Sequence, residues 1–282
     1  MTAQPQASAE LERLLARELV IRFLALGLSD PHCEPWHALE SAENRRLAAQ
    51  AAAVLRHAAG PWAQEPLAPG EEPLERLDLE PALAALDAPE FDPREEYHRV
   101  FGLVPPKECP PYGTEYHRTR EPFFRAQQLA DVAGFYRAFG LEVSSRCPDR
   151  PDHVSLELEF LALLLAKERL AWQRWGRESS QARVCREAWQ AFFRDQVVWW
   201  LGAFAQGLAR KAGCGFYFHL AQALAAWLGW ERRRLGLPPA QLARPQSIEP
   251  PEAQAPCGTC PVEGCEVVPL QTAPTSAKEP QA

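Results

Sequence analysis

Apolar positions recur at helical spacing along most of this chain. In ELERLLARELVIRFLALGL (residues 10–28), Leu11, Leu14, Leu15, Leu19, Phe23 and Leu26 fall on one side of a helix, and Ser29-Asp30-Pro31 stops the run. A second helix is predicted over 38–59, ending at Gly60-Pro61. Residues 60–92, rich in proline and acidic side chains, read as a long connection with one short helix near 79–87. PREEYHRVFG at 93–102 opens with proline, a favoured first residue of a helix, and closes on Gly102. Pro105, Pro106, Pro110 and Pro111 then forbid regular helix and extend the chain. Helical periodicity returns over 122–140, and three longer helices follow at 152–175, 179–212 and 216–235.

About seven helices with no strands between them predict an all-α helical bundle. The composition agrees, because Ala and Leu are abundant while the β-branched Val and Ile are scarce. The expected bundle is a single domain spanning 1–240. Residues 241–282 hold eight prolines and no aromatic residue, so they read as a flexible tail with too little apolar surface to offset its ordering entropy.

Charge narrows the function. A net charge of -7 argues against a nucleic-acid partner, whose affinity would need clustered cations. The one basic run, Arg232 to Arg234, sits where cations complement the end of a helix dipole. No stretch has the roughly 18–20 apolar residues of a membrane span. Glu10, Glu12 and Glu18 do not suit a secretory signal, so the expected compartment is the cytoplasm. There Cys33, Cys109, Cys147, Cys185 and Cys214, scattered singly, read as unremarkable thiols.

Two places carry candidate chemistry. In CPDRPDHVSLELEF (147–160), His153 and Glu157 are four apart, as metal ligands on one helix face would be. The alternation from Val154 to Phe160 also fits a strand, but it runs into LALLLAKERLAW, which has helical composition and length. Asp152 is therefore expected as the N-cap of a helix, with His153 in its first turn. A di-metal oxidase would need paired Glu-x-x-His motifs. Glu95 and His98 supply one such spacing, and this is the weaker alternative. No P-loop, nucleophile elbow or dinucleotide fingerprint is present. In the tail, Cys257, Cys260 and Cys265 form Cys-x2-Cys-x4-Cys, a spacing that suits zinc or an iron–sulfur cluster if a fourth ligand comes from elsewhere.

Two blocks together resemble a known family. EEYHRVFGLVPPKECPPYGTEY (95–116) is similar to the P-P-Y-E-[ST]-x-Y block of the TorD/DmsD/NarJ chaperones, with Gly113 where the family often has glutamate. FYRAFGLEVSSRCPDRPDHVSLELEFLALLLAKE (135–168) resembles their F-Y-x-A-F-G-L... P-D-H-x-x-x-E-L-E-F-M block. The resemblance spans about residues 10–235. It implies an all-helical cytoplasmic chaperone, not an enzyme, that binds the twin-arginine leader and apo-form of a molybdoenzyme catalytic subunit of the dimethyl-sulfoxide-reductase type. Such a protein holds its client until cofactor is inserted and needs no cofactor of its own. Tyr112, Glu115, Tyr116, Asp149, Asp152, His153 and Glu157 are the client-binding residues this implies. The acidic members and Glu159 would meet the cationic end of a leader. Tyr112, Tyr116 and the aromatics of 135–139 would offer apolar wall, although Tyr136 and Phe139 read equally as core. Monomer and dimer both remain open.

Overall fold

The longest apolar stripe folds as α1 (Ala3–Gly27) in the computed structural model, which describes residues 3–58, 60–102, 106–117, 119 and 121–245. Short 3-10 turns and eight further α-helices follow: α2 (Ala42–His57), α3 (Glu80–Leu86), α4 (Pro93–Phe101), α5 (Pro122–Ala138), α6 (Val154–Trp175), α7 (Ser180–Phe192), α8 (Leu201–Ala212) and α9 (Gly215–Arg234). Among the described residues there is no β-strand. The predicted all-α class holds. α1 runs along α6 and α2, α7 lies against α6, and α8 pairs with α9. Their shared interior is filled by Trp189, Trp200, Trp227, Phe193, Phe204 and Phe216, each at most 2% exposed.

Two local expectations need correction. The helix predicted over 38–59 is divided: a 3-10 turn at Glu34–Glu40 precedes α2, whose cap Ser41 accepts from the Asn44 N–H. The single helix predicted over 179–212 is also divided, by a π-turn at Phe193–Val197. Phe192, Phe193, Val197 and Trp200 are all buried. The basic run occupies the last turn of α9, as expected, and two of its members are buried. Arg232 is 1% exposed and forms a 2.6 Å ion pair with Glu71, while the buried Arg233 donates to the Ala63 carbonyl at 2.7 Å. These arginines tie the connection at 61–76 to α9.

Close approach positions the loop that carries the first family block. A side chain at Gly207 of α8 would bring a Cβ to 2.5 Å from the Glu108 carbonyl oxygen. Only glycine lets the loop lie this near the helix. The expected flexible tail, apart from its first five residues, and its Cys257, Cys260 and Cys265 lie outside the described residues.

Candidate functional site

The two family blocks meet at the start of α6. The Val154 N–H donates to the Pro111 carbonyl at 2.8 Å, and the Gly113 N–H donates to the Asp152 carbonyl at 3.0 Å. Tyr112 and His153 thereby form an isolated antiparallel bridge.

Asp152 is not the helix cap. Its carboxylate, fully buried, accepts from the Thr114 N–H at 2.9 Å and the Thr114 hydroxyl at 2.8 Å. Arg150 donates to both of its oxygens, at 3.0 and 2.8 Å. The same guanidinium reaches Glu115 at 3.0 Å and lies 4.3 Å over the Tyr112 ring. Arg125 closes the group from the other side, 3.0 Å from Glu115. A buried carboxylate with this many donors is paid for by its partners and holds the fold.

The cap falls instead to His153, whose Nδ1 accepts from the Ser155 N–H at 3.2 Å. That assigns the ring proton to Nε2, which lies 3.6 Å from Asp149. Burial keeps the imidazole neutral, lowering its pKa below 6.5 against the pull of Asp149 and Asp152. One turn along, Glu157 is 1% exposed. Burial, followed by the charge of Asp152, raises its pKa well above 4.5, so it is a neutral acid. Its Oε2 and the Tyr116 hydroxyl have no hydrogen-bond partner among the described residues. Tyr116 packs on Trp200 with ring centroids 5.3 Å apart. A Cβ at Gly113 would lie 3.1 Å from the Trp200 indole nitrogen, a tight contact.

All seven residues named from the resemblance thus gather around the first turn of α6, but they do not form one surface. Asp152, Tyr116 and Glu157 are buried, and Glu115 is occupied by two arginines. Asp149 and His153 line a cleft of about 770 Å³ on the other side of the helix start. Its walls are α1, the segment 29–38, the loop 141–149 and α6, which contributes Leu156, Phe160 and Leu163. Tyr136 reaches it too, although its hydroxyl is spent on the Pro151 carbonyl at 2.8 Å.

The charged lining is one-sided. Six carboxylates, those of Glu18, Asp30, Glu34, Glu142, Asp149 and Glu159, face a single guanidinium, Arg22. Glu18 is held by Arg169 at 2.6 Å, so the remaining acids dominate the rim. Clefts lined by one sign of charge with apolar walls focus the field and draw opposite charge.

The sequence reading missed half of this cleft. Asp30 and Glu34 lie where the first apolar stripe stops, and only their position after Ser29 marked them as a helix end. It also missed a covalent link. Cys33 and Cys147 are not separate thiols: they form a disulfide across 114 residues, with Cα atoms 5.9 Å apart. Single cysteines far apart in sequence give no sign of such pairing. Cys109 and Cys185 are free and buried, and burial pushes the Cys109 thiol up to about 12. Among the described residues no three His, Cys, Asp or Glu side chains converge to hold a metal, and no helix is long and apolar enough to cross a membrane.

Residues 71–206 match the family described as nitrate reductase delta subunit. The selenate reductase assembly chaperone protein of Thauera selenatis is 31% identical over 118 residues, which is 42% of this chain and 58% of the relative. The chain therefore spans a little over half of that relative's length. The family match includes the start of α6 and Cys147, whereas α1 and Cys33 lie outside it.

Proposed function

We propose that the chain is a molybdoenzyme-maturation chaperone of the nitrate reductase delta subunit kind that residues 71–206 match, and that its cleft receives the leader or N-terminal segment of an apo-molybdoenzyme. The family works without catalysis, so the oxidase alternative gives way. The client would be the catalytic subunit of a molybdoenzyme of the dimethyl-sulfoxide-reductase type, held in the cytoplasm until its cofactor is inserted.

The observation that carries this reading is the pairing of apolar walls with an acid-rich rim in one cleft. A twin-arginine leader presents positive charge followed by an apolar run. Its arginines would meet Asp30, Glu34 and Asp149, and its apolar run would lie against Leu156, Phe160 and Leu163, as in helix-in-groove recognition. The buried polar cluster at 112–116 and 150–157 has another duty here: it fixes the start of α6 and the loop that forms one wall. Asp149 and His153 act in the cleft, while Tyr112, Glu115, Tyr116, Asp152 and Glu157 act through position.

The test is calorimetry of the whole chain with the leader peptide, and separately with the apo-catalytic subunit, of a molybdoenzyme encoded beside it. Binding of the leader that weakens as salt screens the rim is the expected result. Failure of both leader and apo-subunit to bind contradicts the reading.

A further inference from the structure

The disulfide lies on the cleft itself. Cys33 belongs to the 29–38 rim and Cys147 to the facing loop 141–149, and both line the cavity half-buried. That loop has no helix between Phe139 and His153. It is fastened at its two ends, by the Leu141 N–H on the Tyr136 carbonyl at 3.0 Å and by the Arg150 cluster. Across to the facing rim, the other ion pair among the described residues is Arg146 with Glu34, 4.0 Å apart with side chains 89% and 88% exposed. An ion pair so exposed is a weak tie. The sulfur–sulfur bond is therefore what joins the middle of the loop to the opposite rim.

We propose that the Cys33–Cys147 disulfide is a redox-operated clasp on this cleft: oxidised it holds the mouth shut, and reduced it lets the loop swing out and admit the client segment. The proposal rests on the client-binding reading above and adds its regulation. Size supports the direction. A helix is about 10–12 Å across and rises about 5.4 Å per turn, so a cleft of about 770 Å³ takes roughly one and a half turns. A leader with a longer apolar run needs the rims to part.

Compartment supports reversibility. In a reducing cytoplasm a protein disulfide is commonly transient or redox-sensing. The step is thiol–disulfide exchange with a low-molecular-weight thiol such as glutathione. One thiolate attacks a protein sulfur, forms a mixed disulfide and releases the other cysteine as thiolate. A second small thiol then attacks the mixed disulfide and frees the first cysteine. Two electrons and two protons pass to Cys33 and Cys147, and two small thiols leave as one oxidised disulfide.

The experiment uses the full chain in three forms: oxidised with glutathione disulfide, reduced with dithiothreitol, and Cys33→Ser/Cys147→Ser. Peptide mapping reports the bond, and circular dichroism reports retained helix. The probe is a synthetic peptide with an arginine pair followed by about twelve Leu and Ala residues, the length of a typical leader core. Amide exchange is read without it. The expected result is faster exchange over 141–149 on reduction and at least tenfold tighter probe binding to the reduced and double-serine forms. Unchanged exchange, equal affinity in the oxidised and reduced forms, or no Cys33–Cys147 bond in the oxidised chain overturns the clasp. Faster exchange with no probe bound to any form keeps the moving loop and overturns the client reading instead. Should the double-serine form not fold, the reduced wild type decides.

Discussion

Two acidic regions flank the start of α6, and they spend their charge differently. On one side Asp152 and Glu115 are buried and matched by Thr114, Arg125 and Arg150. On the other, Asp149 is partly exposed beside His153, and the six carboxylates of the cleft lining outnumber its one arginine, Arg22. Residues only three apart, Asp149 and Asp152, thus sit in opposite surroundings. A satisfied, buried carboxylate belongs to the fold, whereas a partly exposed acid beside apolar walls is the kind that the proposed binding mode would use. Family motifs mark both kinds without separating them.

Mutations on the two sides break or sharpen this contrast. The largest effect is expected from Asp152→Ala. It leaves the Thr114 N–H and hydroxyl without their buried acceptor and takes from the partly exposed Arg150 one of its two carboxylate partners, at a cost of about 2–3 kcal/mol, read as a lowered urea midpoint with unchanged slope. Leu163→Asp acts on the cleft, where a charge beside the apolar wall should cut affinity for the arginine–leucine probe at least tenfold, or about 1.4 kcal/mol, by calorimetry. A third test uses pH. The raised pKa of Glu157 means that its contribution to folding is fully present below 4.5 and is lost as pH rises through its folded-state value. Wild type should therefore lose stability as pH rises above about 4.5 relative to Glu157→Gln, in paired denaturation curves. His153 works in the opposite sense, disfavouring the fold as pH drops below 6.5, so the difference between the two proteins isolates Glu157. The smallest effect belongs to Asp149→Asn, which should weaken the probe about threefold and leave stability within about 0.5 kcal/mol. A large loss of stability there would erase the distinction between the regions.

Much of the fold was legible because helices announce themselves by period and by stops. Pro93, Gly102, Pro122 and Gly176 stand at helix ends seen in the structure. The π-turn at Phe193–Val197 was not legible, since an unbroken apolar run reads as one helix whichever way its side chains must turn. Nor was the burial of Arg232, because its partner Glu71 lies 161 residues away. The site was half legible. The motif residues all cluster, yet local sequence cannot say that Asp152 would turn from the helix cap to Thr114 and leave the cap to His153. The far rim of the cleft, with Asp30 and Cys33, comes from a segment more than a hundred residues earlier and is specified by packing alone.

The central claim is that the acid-rimmed cleft, and not the buried polar cluster, receives the client segment. The most direct test is photo-crosslinking of the whole chain to the arginine–leucine probe carrying benzophenone beside the arginine pair, with adducts located by mass spectrometry. The account predicts adducts on 29–38, on 141–149 or on the cleft face of α6. Adducts confined to 106–117 or to α7 and α8 would contradict it.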